Sequence, residues 1–124
     1  MTIKEVSKKY RISEDTLRYY ERVGIIPPVT RTNSGMRDYS EEDLHWVALA
    51  KCMRGAGMPV GSLAEYIRLC QSGDETGEIR LKMLREQRDA LMEQRRQLDE
   101  TLQRLDGKIR RLQETVNKEK ETEQ

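Results

Sequence analysis

Between Leu81 and Val116 an apolar residue returns at alternating steps of three and four, and this repeat constrains the fold of the 124-residue chain more than any other feature. With Leu81 at position a of a heptad, the a positions are Leu81, Arg88, Arg95, Leu102, Ile109 and Val116. The d positions are Leu84, Leu91, Leu98, Leu105 and Leu112, so nine of the eleven seam positions are apolar. A sustained seven-residue repeat is the mark of a coiled coil. A lone helix of about 40 residues, roughly 60 Å long, has nothing in a chain of this size to cover its stripe. A second copy of the chain is the simplest source of the missing surface. The expected dimerisation helix spans residues 76–117, with Leu84, Leu91, Leu98, Leu102, Leu105, Ile109 and Leu112 in the seam. From Asn117 the pattern is lost, and residues 118–124 are expected to fray.

Arg88 and Arg95 interrupt the seam. They read either as register-setting residues whose stems pack while the guanidinium reaches water, or as contacts to the partner's N-terminal part; the first is the preferred reading. The g positions Gln87, Gln94, Thr101, Lys108 and Thr115 supply no charged ladder of the kind that specifies parallel pairs.

The N-terminal part is punctuated by caps. Thr2 and Glu5 form a capping box for a helix that ends near Lys9 or Tyr10. Ser13 followed by Glu14 and Asp15 opens a second helix, closed by Gly24. Two short helices around a three-residue turn make a helix-turn-helix. Pro27 and Pro28 force the chain out extended. Segments 29–31 and 36–39 then read as short strands around Thr32-Asn33-Ser34-Gly35, a hairpin that serves as a wing. Ser40 caps a third helix, apolar around most of its circumference, and Gly55-Ala56-Gly57-Met58-Pro59 separates it from a fourth that ends near residue 71. The expectation is a mainly α fold: a winged helix-turn-helix head, residues 1–71, on a long C-terminal coiled-coil helix.

Charge places the partner. The whole chain carries a formal net charge of +1, but residues 1–40 hold eight Lys and Arg against five Asp and Glu. An anionic partner is therefore expected at the N-terminal third. No stretch has the length and hydropathy of a membrane span or export signal, so a soluble, cytoplasmic protein is expected. Cys52 and Cys70 are then expected as reduced thiols. With one histidine, His45, they are too few for a closed structural zinc site, and no metal or cofactor is expected. His45 itself reads as a structural or surface residue. No nucleophile, base and acid set and no phosphate loop is present, which argues against an enzyme.

The second helix carries Thr16-Leu17-Arg18-Tyr19-Tyr20-Glu21-Arg22, where a recognition helix enters the major groove. Arg18 and Arg22 stand one turn apart, suited to phosphates or a guanine edge, and a tyrosine hydroxyl can bond a phosphate oxygen. The competing reading is a solvated face over core tyrosines. Together with Val23-Gly24-Ile25-Ile26-Pro27, Gly35-Met36-Arg37-Asp38-Tyr39 and Ser40-Glu41-Glu42-Asp43-Leu44, this block resembles the DNA-binding head of MerR-family bacterial transcription regulators. The resemblance extends over essentially the whole chain. It implies DNA contacts from Arg18 and Tyr19 on the recognition helix and from Arg37 and Tyr39 on the wing; Thr16 and Arg22, on the same helix, are expected to bind DNA with them. It further implies an antiparallel homodimer that distorts double-stranded promoter DNA so that RNA polymerase can use it, at a deformation cost of several kcal/mol. Met36 stands where the family often has a larger aromatic.

The metal-sensing branches carry a cysteine pair beyond the long helix, and this sequence has no cysteine after Cys70. What remains resembles the small AdhR/NmlR-like branch, linked to aldehyde and thiol stress, with a lone cysteine matching Cys52 ahead of a turn like Gly57-Met58-Pro59. That implies a sensing role for Cys52. On spacing alone, Cys52 shares a helix face with Leu44 and Ala48 and reads as a buried, inert thiol. Cys70 reads as structural. Two other readings stay open: constitutive DNA binding with a thiol that alters only activation, and an architectural or adaptor protein whose coiled coil binds a different chain.

Overall fold

The computed structural model describes residues 1–123. Five helices follow one another: α1 Ile3–Tyr10, α2 Glu14–Val23, α3 Glu41–Gly55, α4 Val60–Ser72 and α5 Gly77–Thr122, with a short 3-10 turn, Asp74–Thr76, before the last. The caps are those the sequence announces. Thr2 and Glu5 close the capping box on α1, Ser13 accepts the Thr16 N–H on α2, Gly24 ends α2 at φ 84°, and Ser40 and Asp43 form a second capping box on α3.

Two compact units divide the chain, Met1–Arg88 and the stretch from Asp89 onward. The first unit runs past residue 71, where the head was expected to end, and takes in the start of α5. Met83 and Leu84 on the first turns of α5 pack against the head's core, and Gln87 Nε2 donates to the Ala56 carbonyl at 2.8 Å. Leu84, expected in the dimer seam, is thus half-buried within its own chain.

The core is built from Val6, Leu17, Ile25, Ile26, Val47, Met58, Leu63 and Ile67, with α1 against α2 and α3, and α3 against α4. On α3 the buried side chains are Asp43, Val47, Ala50 and Met53. Ala48 and Cys52 lie on the opposite, exposed face. The expectation of a buried Cys52 is corrected: α3 is apolar on nearly every side, so spacing alone selects no face.

The wing is barer than two strands. Its ladder reduces to one antiparallel bridge, Arg31 to Arg37, with Thr32 N–H on Met36 O at 2.8 Å and Gly35 N–H on Thr32 O at 2.9 Å closing the tip. The reason lies in where the donors go. Pro27 and Pro28 have none, Val29 N–H donates to Glu21 Oε2, and Thr30 N–H donates to Asp43 Oδ2. Tyr39 N–H goes to the Met1 carbonyl at 2.7 Å.

From Asp89 onward α5 is exposed almost throughout, Leu91, Leu98, Leu102, Leu105, Ile109 and Leu112 included. Its polar faces carry pairs such as Arg96 with Glu93 and Glu100. The helix runs through Thr122, into the residues 118–124 that were expected to fray, and Gln113 Nε2 donates to Asn117 Oδ1. Gln124, the last residue of that tail, lies outside the described residues. Among the described residues no helix is long and apolar enough to cross a membrane.

Candidate nucleic-acid interface

The recognition helix α2 is anchored from below and open above. Leu17 is fully buried and Tyr20 packs against the core, which turns Arg18, Tyr19 and Arg22 outward. Arg18 is 45% exposed and bound only by carboxylates of its own helix, Asp15 at 3.0 Å and Glu14 at 3.6 Å. Such exposed pairs contribute little to stability, so they yield readily to a phosphate. The Arg22 guanidinium lies 5.3 Å from the centre of the Tyr19 ring, a cation-π contact that orients both side chains. Thr16 is half-buried and its hydroxyl accepts from Ser13 Oγ at 2.7 Å, so its first role is to set the start of the helix.

The wing residues divide. Arg37 donates from Nε to Glu21 Oε1 at 2.8 Å and is 22% exposed. Tyr39 is a core residue, 2% exposed, with a hydroxyl that finds no hydrogen-bond partner among the described residues. Burial pushes its phenol above the ordinary value. Tyr39 was expected to grip the DNA backbone; within the single chain its ring and hydroxyl are buried. Arg31, which the sequence reading passed over, is the more open wing cation: 44% exposed, donating to Gly35 O at 3.0 Å and standing 3.7 Å from Glu21. Its signal in the sequence was its place opposite Arg37 across the turn.

Beneath the wing, Asp43 fastens the third helix to the extended segment. Its Oδ2 accepts both Ser40 N–H at 2.9 Å and Thr30 N–H at 3.1 Å. Burial alone raises the carboxyl's pKa, but the bonds from Ser40 and Thr30 outweigh it and hold the group below its ordinary value.

Cys52 is exposed and Cys70 half-buried, both as free thiols. The cations beside Cys52 in sequence are engaged elsewhere: Lys51 Nζ donates to the Tyr10 carbonyl and Arg54 to the Met58 carbonyl, each at 2.6 Å. Lys51 thereby ties α3 to the end of α1, and the Cys52 carbonyl accepts Ala56 N–H in the turn whose own carbonyl holds Gln87.

Comparison with known proteins gives consistent results. Residues 1–70 match the MerR HTH family regulatory protein profile, and residues 44–108 match a second profile, MerR, DNA binding. The HTH-type transcriptional regulator AdhR of Bacillus subtilis is 50% identical over 92 residues, 74% of this chain and 66% of its own length. An uncharacterised HTH-type regulator of Haemophilus influenzae is 33% identical over 69% of this chain and 64% of its own length, so the chain spans slightly less than two thirds of these relatives. Among solved structures, a MerR family transcriptional regulator from Listeria monocytogenes superposes with a TM-score of 0.82 at 43% identity, over 88% of this chain and 83% of that one. HiNmlR, a MerR family regulator lacking the sensor domain and solved bound to promoter DNA, gives 0.80 at 30% identity, over 87% and 86%. Profile, sequence and fold agree, and the chain belongs to the MerR HTH family of regulatory proteins.

Proposed function

We propose that the chain works as a homodimer whose two heads read a pseudo-palindromic promoter element, distort it for RNA polymerase, and respond to thiol-reactive stress through Cys52. The observation that carries the DNA-reading part is the outward row Arg18, Tyr19 and Arg22 on a helix whose opposite side is locked into the core. Arg31 and Arg37 lie on the adjoining wing. Seven seam residues of α5, Leu81 among them, each more than 40% exposed within the chain, support the dimer. The antiparallel arrangement of residues 76–117 follows the family likeness. In such a pair α5 sets the distance and rotation between heads, so an effector need only shift which dimer geometry is preferred.

The sensing part is favoured by the place of Cys52: solvent-facing, in the last turn of α3, next to the Lys51 tether to α1 and to the turn that holds Gln87 of α5. A substituent on the sulfur would lie beside both tethers. The test is a transcription assay with the promoter selected by the wild-type protein, with and without an aldehyde, on wild type, Cys52→Ser and Cys70→Ser. Activation lost only in Cys52→Ser supports the reading. Full aldehyde response in Cys52→Ser sinks the sensor, and absence of any sequence preference in binding sinks the regulator.

A further inference from the structure

The single bridge of the wing sets two arginines opposite each other, Arg31 and Arg37. Like charges on directly opposed residues destabilise a strand pair, and this pair has no further ladder to hold it. Both guanidinium groups turn to one carboxylate. Glu21 Oε1 accepts from Arg37 Nε at 2.8 Å and its Oε2 lies 3.7 Å from Arg31. The same Oε2 accepts Val29 N–H at 3.1 Å, at the point where the chain enters the wing. The Glu21 side chain is only 13% exposed, and it belongs to α2, one residue before Arg22.

A carboxylate among the cations of a DNA-reading face repels phosphate, so its presence there calls for a compensating role. We infer that Glu21 is a positioning residue for DNA recognition. It neutralises the opposed arginines, holds the entry to the wing, and thereby fixes the wing relative to α2 so that groove and backbone contacts are made together. Glu21 touches no DNA in this role; it acts through Arg37, Arg31 and Val29. The inference rests on the proposed DNA-reading face.

The two effects of Glu21 have opposite signs, which makes the test sharp. Glu21→Gln keeps the shape and one acceptor while removing a negative charge from each head. If the carboxylate only repels phosphate, every duplex binds more tightly. If it positions the wing, a duplex selected by the wild-type protein from a random library binds about tenfold more weakly, while a scrambled duplex of the same composition binds as well or better. Fluorescence anisotropy on the full-length protein across a salt series reads both. A double-mutant cycle with Arg37→Met adds the coupling: an effect of Glu21→Gln that largely vanishes in the Arg37→Met background supports the inference, and additive losses overturn it. Equal tightening of both duplexes in Glu21→Gln also overturns it. Should Glu21→Gln melt below the assay temperature, Arg37→Met reads the same ion pair from the wing side. A lowered specificity ratio there supports positioning; an unchanged ratio refutes it. Failure of the wild type to distinguish the two duplexes strikes instead at the DNA-reading face itself.

Discussion

Replacing Asp43 by alanine tests how the wing is attached to the head. One carboxylate oxygen, Oδ2, accepts two backbone N–H groups, from Ser40 and from Thr30, and Asp43 is 7% exposed. Alanine leaves both amides without their acceptor. Both bonds are part-buried, and a hydrogen bond to a charged group contributes about 1.5–3 kcal/mol, so the expected loss for the two is roughly 3–5 kcal/mol. Against a total stability of about 5–15 kcal/mol this is severe, and for a domain of this size it lowers the melting temperature by at least about 12 °C. Asparagine is the informative contrast. With its carbonyl oxygen in the place of Oδ2 it keeps both bonds and loses only the charge, so Asp43→Asn is expected to cost about 1 kcal/mol. Urea denaturation followed by the fluorescence of Trp46, the one tryptophan of the chain, which packs on α3 against the core, reads both variants at fixed protein concentration. The pH dependence follows from the sign of the shift. Because the folded carboxyl titrates below its unfolded value of 3.8, the charge contributes fully above that value, and its contribution is lost as pH falls through the lower folded pKa. The gap between wild type and Asp43→Asn therefore closes in acid. Equal destabilisation by Asn and Ala, or a loss below about 1 kcal/mol for Ala, would refute the two-bond account.

Three further outcomes are expected. Leu98→Ala removes an exposed seam residue twice per dimer; at about 2 kcal/mol or more per site the dissociation constant rises about a thousandfold, and sedimentation that shows no change in dimer population counts against the seam. Cys52 is expected to react with a thiol reagent before the half-buried Cys70, so Cys52→Ser abolishes the early phase of labelling seen by mass spectrometry; protection of Cys52 in the intact protein removes it as the sensing thiol. Gly24→Ala forces a Cβ into a left-handed conformation at φ 84°, with Ala64 Cβ no nearer than 4.0 Å. The strain, about 1–2 kcal/mol, lowers the melting temperature, and Gly24→Asn lowers it less because asparagine tolerates that conformation; equal effects of the two locate the loss elsewhere.

The helices and their caps were legible because capping is chemistry between residues three apart: Thr2 with Glu5, Ser13 with Thr16, Ser40 with Asp43. The second bonds of the same groups were not. Asp43 reaches Thr30 and Glu21 reaches Arg37 across 13 and 16 residues, and no local pattern announces a pairing whose two ends meet only after α2, the wing and α3 have packed. The wing's position was legible from its turn, but its thinness was not, since it depends on Val29 and Thr30 giving their donors to side chains. Tyr39 was expected at the DNA from the family resemblance alone, and its burial depends on long-range packing that no local pattern announces. Leu84 fits the heptad as well as Leu91 does, and only the presence of the head within reach of α5's first turns separates them.

The helix contacts of the head join elements close in chain order, α1 with α2, α1 with α3 and α3 with α4. Chains held by such local contacts fold quickly, in about microseconds to milliseconds, whereas pairing two long helices waits on a collision whose rate depends on concentration. For a dimer of this kind the reading surface is ready first and the spacing between two readers is acquired afterwards. A freshly made chain then passes through an interval in which it has a finished head but no geometry to impose on a promoter. If the chain works as the proposed dimer, that interval shortens as protein concentration rises.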